Sequence, residues 1–193
     1  MHLIETALPG IRIVETDIFG DERGFFLETW QAERYAALGL PDRFVQDNLS
    51  RSARGVLRGL HLQHPRAQGK LVYVIEGEIF DVAVDVRVGS PHFGRSVGVM
   101  LSAANHRQLW VPPGFAHGFC VASDYALVAY KCTTLYQPGN ELGVLWNDPD
   151  LAVAWPLTDV TVSPRDQRFA RLRDIPPSAL PSYDEYGPDA HAL

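Results

Sequence analysis

Cysteine is scarce in this chain: Cys120 and Cys132 are the only two, and no Cys-x-x-Cys spacing relates them. That argues against a disulfide-stapled scaffold and fits a reducing compartment in which both thiols stay free. Positive charge is also in deficit. The 17 Lys and Arg face 23 Asp and Glu, a formal net charge of −6, so the totals carry no footprint for nucleic acid. No apolar run approaches the roughly 20 residues that a membrane-spanning helix needs, and the N-terminus lacks the basic start and apolar stretch of a secretion signal. A soluble, cytoplasmic protein without nucleic-acid or membrane partners is expected. Internal repeats and low-complexity segments are missing as well.

What is present is ordinary globular material. The chain has 193 residues, 46% hydrophobic and 21% charged, enough for one domain with a sizeable core. Helical periodicity is convincing once, over Thr29–Leu38: Thr29 would cap it, Trp30, Ala37 and Leu38 mark one side, and Gly39 with Pro41 ends it. Gly10–Asp17 alternates Ile11 and Ile13 with Arg12 and Val14 and is expected to open the fold as a strand. Phe25 and Phe26 read as core, and Arg23 with Glu28 as a solvated pair.

After Phe44–Asn48 the pattern is one of short strands: Leu71–Ile75, Ile79–Arg87, Val97–Leu101, Gln108–Val111, Gly118–Ala122, Ala126–Cys132 and Gly143–Trp146. Glu76-Gly77-Glu78 predicts a hairpin between the first two, and Val82, Val84 and Val86 share one face of the second. Many short strands with little helix predict an all-β antiparallel sandwich or barrel. The expected organisation is a single domain over residues 1–193. N-terminal strands run to about 50, a core spans about 51–156, and a wrapping tail fills about 157–193, its last residues expected to lack fixed structure.

One stretch resists a purely structural reading. Arg58–Lys70, RGLHLQHPRAQGK, crowds Arg58, His61, His64, Arg66 and Lys70 between the apolar pairs Val56-Leu57 and Leu71-Val72. Charged groups are rarely placed on interior strands unless something pairs with them. A polar strand face lining a pocket for an anionic ligand accounts for the crowding. Strict alternation puts Leu60 and Leu62 on the side of Arg58, and His61 and Gln63 on the other. If Arg58 and His61 serve one pocket, Gly59 must mark a bulge or kink.

Pro112-Pro113-Gly114-Phe115-Ala116-His117 resembles the second metal motif of cupin barrels, but the first motif fails. His61-Leu62-Gln63 carries Gln in place of the second His, and Ala67 and Gln68 stand where a Glu should follow. A first-row metal needs about three His, carboxylate or Cys donors. His61 and His117 supply two, and alternation turns His64 away, so no metal is expected. Organic acid–base chemistry remains. His61 can take a proton, Tyr130 can return one, and the Lys70 ammonium can hold an enolate oxygen. Each also has a plainer reading, as a hydrogen-bonded core histidine, a packing tyrosine and a solvated strand end.

Several stretches together resemble the dTDP-4-dehydrorhamnose 3,5-epimerase family: GDERGFFLE (20–28), FVQDN (44–48), GVLRGLHLQ (55–63), AQGKLV (67–72), GEIFDVAVDVR (77–87), PPGFAHGF (112–119), AYKCTTLY (129–136), LWNDP (145–149), WP (155–156) and SPRD (163–166). The resemblance implies a metal-free cupin-type jelly roll with one or a few short helices, needing no cofactor. It also implies a homodimer that exchanges N-terminal strands, so that residues up to about 50 form an arm. The implied activity is epimerisation of a dTDP-4-keto sugar at C3 and C5.

By the same resemblance His61 is the base, oriented by Asp166, Tyr130 is the acid and Lys70 sits by the C4 oxygen. Arg23, Gln46, Asn48, Arg58 and Arg165 hold the diphosphate and sugar with His117 nearby. Phe26 and Glu28, from the partner subunit, contact the nucleoside together with Tyr136 and Glu141. Arg165 stands where the family often carries Lys, and Tyr73 where many members carry Arg. Single-centre epimerisation, a non-catalytic sugar-nucleotide binding module and a metal-dependent cupin oxygenase are the alternative functions.

Overall fold

Short strands punctuated by Gly, Pro, Asn and Asp build two facing sheets in the computed structural model, which describes residues 1–187. In chain order the elements are β1 (His2–Glu5), β2 (Arg12–Glu15), β3 (Ile18–Asp21), β4 (Gly24–Leu27), α1 (Ala32–Ala36), β5 (Gln46–Ala53), β6 (Val56–Gln63), β7 (Lys70–Glu76) and β8 (Glu78–Asp85). They continue as β9 (Ser96–Ser102), β10 (Gln108–Val111), β11 (Phe115–Val121), β12 (Tyr125–Cys132), β13 (Glu141–Gly143), β14 (Thr161–Val162) and α2 (Tyr183–Tyr186). One sheet has the order β1-β2-β10-β7-β12-β5. The other has β13-β6-β11-β8-β9, with β14 added in parallel to β6. This is the expected all-β, cupin-like architecture.

The core lies between the sheets, where Val72, Val74 and Val128 meet Ile79, Phe115, Phe119 and Val121. The far face of the second sheet is buried too. Leu60, Leu62, Val82, Val84 and Val86 pack under Leu151, Leu172 and Leu180 of the C-terminal segment, each such side chain contributing roughly 1.5–3 kcal/mol by burial. Between residues 157 and 187 the chain follows that face, and Val88 pairs with Ser182. The expectation of unfixed last residues concerns 188–193, which lie outside the described residues.

Four expectations need correction. The chain opens one strand earlier, with β1 beside β2. The helix is shorter: Gln31, not Thr29, caps it, its side-chain oxygen accepting from the Arg34 N–H at 2.6 Å. The Thr29 carbonyl is held outside the helix by the Tyr35 hydroxyl (2.9 Å) and the Gln108 amide (2.8 Å). Gly77 is no hairpin tip, because β7 and β8 belong to different sheets. It is the corner at which the chain crosses over, at φ +81°, and a Cβ there would lie 2.0 Å from the Tyr125 carbonyl oxygen. Finally, Phe25 and Phe26 are 62% and 69% exposed rather than core. They lie on the β3–β4 ribbon, which among the described residues pairs only with itself.

Candidate active site

The bulge inferred at Gly59 is present and organises the site. His61 stands opposite His117 and Arg58 opposite Phe119, so Gly59 and Leu60 of β6 together face the single Gly118 of β11. Gly59 has φ +118°, and a Cβ there would meet the Gly118 Cα at 2.6 Å. The two glycines thus let the strands approach where side chains could not. Leu60 and Leu62 go to the outer cluster. Arg58 reaches across to Ser52 on β5 (Nε to Oγ, 3.0 Å), while His61 lines a cavity between the sheets.

That cavity has a volume of about 290 Å³. Its walls are Gln46 and Asn48 of β5, His61–Gln63 of β6, Gln68, Lys70 at the head of β7, Tyr130 and Cys132 of β12, and Tyr136 and Glu141. His61 and Tyr130 therefore face one space from opposite sheets.

His61 Nε2 lies 2.9 Å from Asp166 Oδ1, and Asp166 Oδ2 accepts the Gly59 N–H at 3.1 Å. Burial alone would raise the Asp166 carboxyl, but the hydrogen bond and charge of His61, with the Gly59 and Ser163 contacts, hold it below the usual carboxylate value. An imidazole that donates Nε2–H to Asp166 keeps the Nδ1 lone pair free to take a proton. The Phe169 ring meets His61 edge-on at 5.7 Å. Room for that ring exists because Gly143 has no side chain: a Cβ there would lie 2.2 Å from it.

Across the cavity, burial pushes the Tyr130 phenol up and the neighbouring Cys132 adds to this, against a weaker pull from Arg58. Tyr130 thus keeps its proton through neutrality and can donate it. Burial pushes the Lys70 ammonium down, opposed by Cys132, Glu141 and Asp81. Among the described residues no carboxylate forms an ion pair with Lys70, so its charge is available to a developing oxyanion.

At the cavity rim Glu141 accepts from the Tyr136 hydroxyl (2.7 Å) and from Arg165 (2.7 Å), and the bond to Glu141 raises the Tyr136 phenol. Gln46 accepts the Tyr136 N–H at 2.8 Å and donates to Asn48 at 3.0 Å. His117 is sealed in the wall, its Nε2 2.7 Å from Asp81 Oδ1. Arg23, Phe26 and Glu28 are not brought here within one chain. Arg23 is paired with Asp21, Phe26 is exposed on the ribbon, and Glu28 bonds Arg34 at 3.1 Å.

Sequence reasoning passed over Gln68, Cys132, Asp81 and Phe169. Asp81 had a signal, an acid inside an apolar strand, and Cys132 shares the face of Tyr130 two residues on. Phe169 had none, since nothing local announces which ring will abut His61.

Barrel and cavity together define a cupin-type protein whose pocket presents proton-transfer groups beside cationic and amide side chains. The family model described as dTDP-4-dehydrorhamnose 3,5-epimerase matches residues 5–174, and the chain belongs to this family. It is 52% identical over 176 residues to the dTDP-4-dehydrorhamnose 3,5-epimerase of Pseudomonas aeruginosa, covering 90% of this chain and 97% of that protein. The crystal structure of a dTDP-6-deoxy-D-glucose-3,5-epimerase from Legionella pneumophila Philadelphia 1, in complex with dTDP-4-keto-L-rhamnose, superposes with a TM-score of 0.92. That similarity comes at 54% identity over 94% of this chain and 98% of that one. A dTDP-4-dehydrorhamnose 3-epimerase of Streptomyces niveus is 40% identical over 95% of this chain and 90% of its own length.

Proposed function

We propose that the protein is an isomerase that inverts C3 and C5 of dTDP-4-dehydro-6-deoxy-D-glucose, giving dTDP-4-dehydro-L-rhamnose for dTDP-L-rhamnose biosynthesis. The observation that carries this reading is the His61–Asp166 pair facing Tyr130 across one cavity, with Lys70 between the sheets. C3 and C5 both flank the C4 ketone, so their protons are acidified. His61 Nδ1 removes one, and the C–H electrons move into an enolate whose charge gathers on O4. Lys70 stabilises that charge more in the transition state than in the ground state. Tyr130 then delivers a proton to the opposite face and inverts the centre. The same division between a base and an oxyanion site appears in ketosteroid isomerase, on another fold.

Arg58, Arg165, Gln46 and Asn48 are assigned to the diphosphate and sugar, with His117 nearby in the wall, and Tyr136 and Glu141 to the nucleoside. Arg23, Phe26 and Glu28 would join a site only if supplied by a second copy of the chain. The exposed Phe19, Phe25 and Phe26 on the β3–β4 ribbon support such a homodimer, built by exchange of N-terminal strands. The reaction requires no redox cofactor, and the donor set favours metal independence, since Gln63, and Ala67 with Gln68, stand where a metal-binding cupin carries its second His and its Glu. A cytoplasmic location accords with two unpaired thiols.

Product analysis after turnover in deuterated water tests the reading: solvent deuterium is expected at both C3 and C5, with activity retained after chelation. The 3-epimerase among the relatives favours one second reading, inversion at a single centre. Deuterium at one carbon only would select it.

A further inference from the structure

Gln63 follows His61 on the same face of β6 and is 4% exposed, yet all three hydrogen bonds of its carboxamide leave the strand. Nε2 donates to the Arg66 carbonyl (2.6 Å) and to the Leu135 carbonyl (3.3 Å), while Oε1 accepts the Gln137 N–H (2.8 Å). The partners lie on two different loops. One, residues 64–69, delivers Gln68 and Lys70 to the cavity; the other, residues 133–140, delivers Tyr136 and leads into Glu141. Gln63 is also the register partner of Glu141 across β6 and β13. Only a primary amide offers two donors and an acceptor from one planar group. A neutral imidazole, the group that metal-binding cupins place here, has one of each and would leave a carbonyl unmet.

We propose that Gln63 is a positioning residue that fixes the separation between the enolate-facing Lys70 and the nucleoside-facing Tyr136 and Glu141. The inference rests on the function proposed above. It assigns the missing metal motif a use: the position that would hold an ion instead ties the two halves of the substrate site together. Other bonds cross the same gap, among them Gln68 Nε2 to the Thr134 carbonyl (2.7 Å) and Asn140 Nδ2 to the Pro65 carbonyl (3.2 Å). Among the described residues the Gln63 side chain alone binds both loops from the barrel wall that carries His61, so it relates them to the base as well as to each other.

Two substitutions separate its functions. Gln63→Met conserves volume and removes all three bonds. Gln63→Glu keeps the acceptor for Gln137 but sets a carboxylate against two carbonyls, releasing the Lys70 loop. For Gln63→Met, KM for the dTDP-4-keto sugar should rise and kcat fall, each about tenfold or more, because small misplacements of reacting groups are costly. For Gln63→Glu, kcat should fall further than KM rises, with the Kd for dTDP alone within about threefold of wild type. Amide hydrogen exchange should accelerate over 64–69 and 134–140 in the Met variant, while the exchange of β8 and β11 is unchanged. Kinetics within twofold of wild type in both variants, or loops that exchange no faster, would overturn the inference. Absence of turnover by the wild-type enzyme would instead fail the functional reading, and the exchange experiment would still decide whether Gln63 holds the loops.

Discussion

The barrel wall holds two histidine–aspartate pairs side by side: His61–Asp166 at 2.9 Å and His117–Asp81 at 2.7 Å, with the histidines opposite each other on β6 and β11. Residue types and spacing are nearly the same, and the surroundings are not. The His61 side chain is 27% exposed and opens on the cavity, whereas that of His117 is 8% exposed. Asp166 has its second oxygen satisfied by Gly59, while Asp81 Oδ2 is buried with no hydrogen-bond partner among the described residues. A base needs a free nitrogen that a substrate can reach, so access decides which pair can turn over. The sealed pair instead places charge inside the wall, where its carboxylate helps keep the nearby Lys70 protonated.

The contrast can be broken most sharply at His61. His61→Ala should lower kcat by about 10³-fold or more, since general acid–base catalysis is worth roughly 10²–10⁴-fold. Loss of solvent-deuterium incorporation checks it, and surviving exchange would make another group the base. Lys70→Met should lower kcat by about 10²-fold, the scale of one lost oxyanion contact.

The alkaline limb of wild-type kcat/KM should belong to Lys70. Burial lowers Lys70 below its usual 10.5, so its charge is lost at lower pH than a free ammonium's, whereas burial raises the Tyr130 phenol above its usual 10.0. Lys70→Arg should move that limb to higher pH if the variant retains measurable turnover.

Asp166→Asn should cost about tenfold to a hundredfold in kcat by unsettling the imidazole's orientation and tautomer. It should also remove a pH-dependent part of stability. The folded-state Asp166 value is depressed, so its contribution is present above the unfolded value near 3.8 and is lost as pH falls through the folded one. The stability gap between wild type and variant, read by urea denaturation, should therefore close below about pH 4.

The smallest catalytic effect belongs to the sealed pair. His117→Ala should change kcat less than about tenfold yet destabilise the protein by roughly 3 kcal/mol, because it strands a buried carboxylate. Equal kinetic losses at His61 and His117 would erase the distinction between the pairs.

How much of this was legible beforehand varies by element. The period-two pattern of Val82, Val84 and Val86 predicts the buried face, and the conflict between Arg58 and His61 locates the bulge at Gly59. Glu76-Gly77-Glu78 misled because a positive-φ glycine serves a hairpin tip and a corner between sheets equally well; only the pairing of β7 with β10 and β12 tells them apart. The helix start misled because Thr29 is a good cap in isolation, but its carbonyl is claimed by Tyr35 and Gln108 from other parts of the chain.

Residue types and their order along the chain were enough to establish an all-β protein of a known family, with candidate proton-transfer groups named and a metal motif visibly incomplete. Tertiary structure alone decided that His61 and Tyr130 share one cavity, that Asp166 reaches back to β6, and that Gln63 joins two loops. Strand alternation is a local property set by backbone geometry. Proximity between residues tens of positions apart depends on which sheets they join, and that is settled by packing across the whole core.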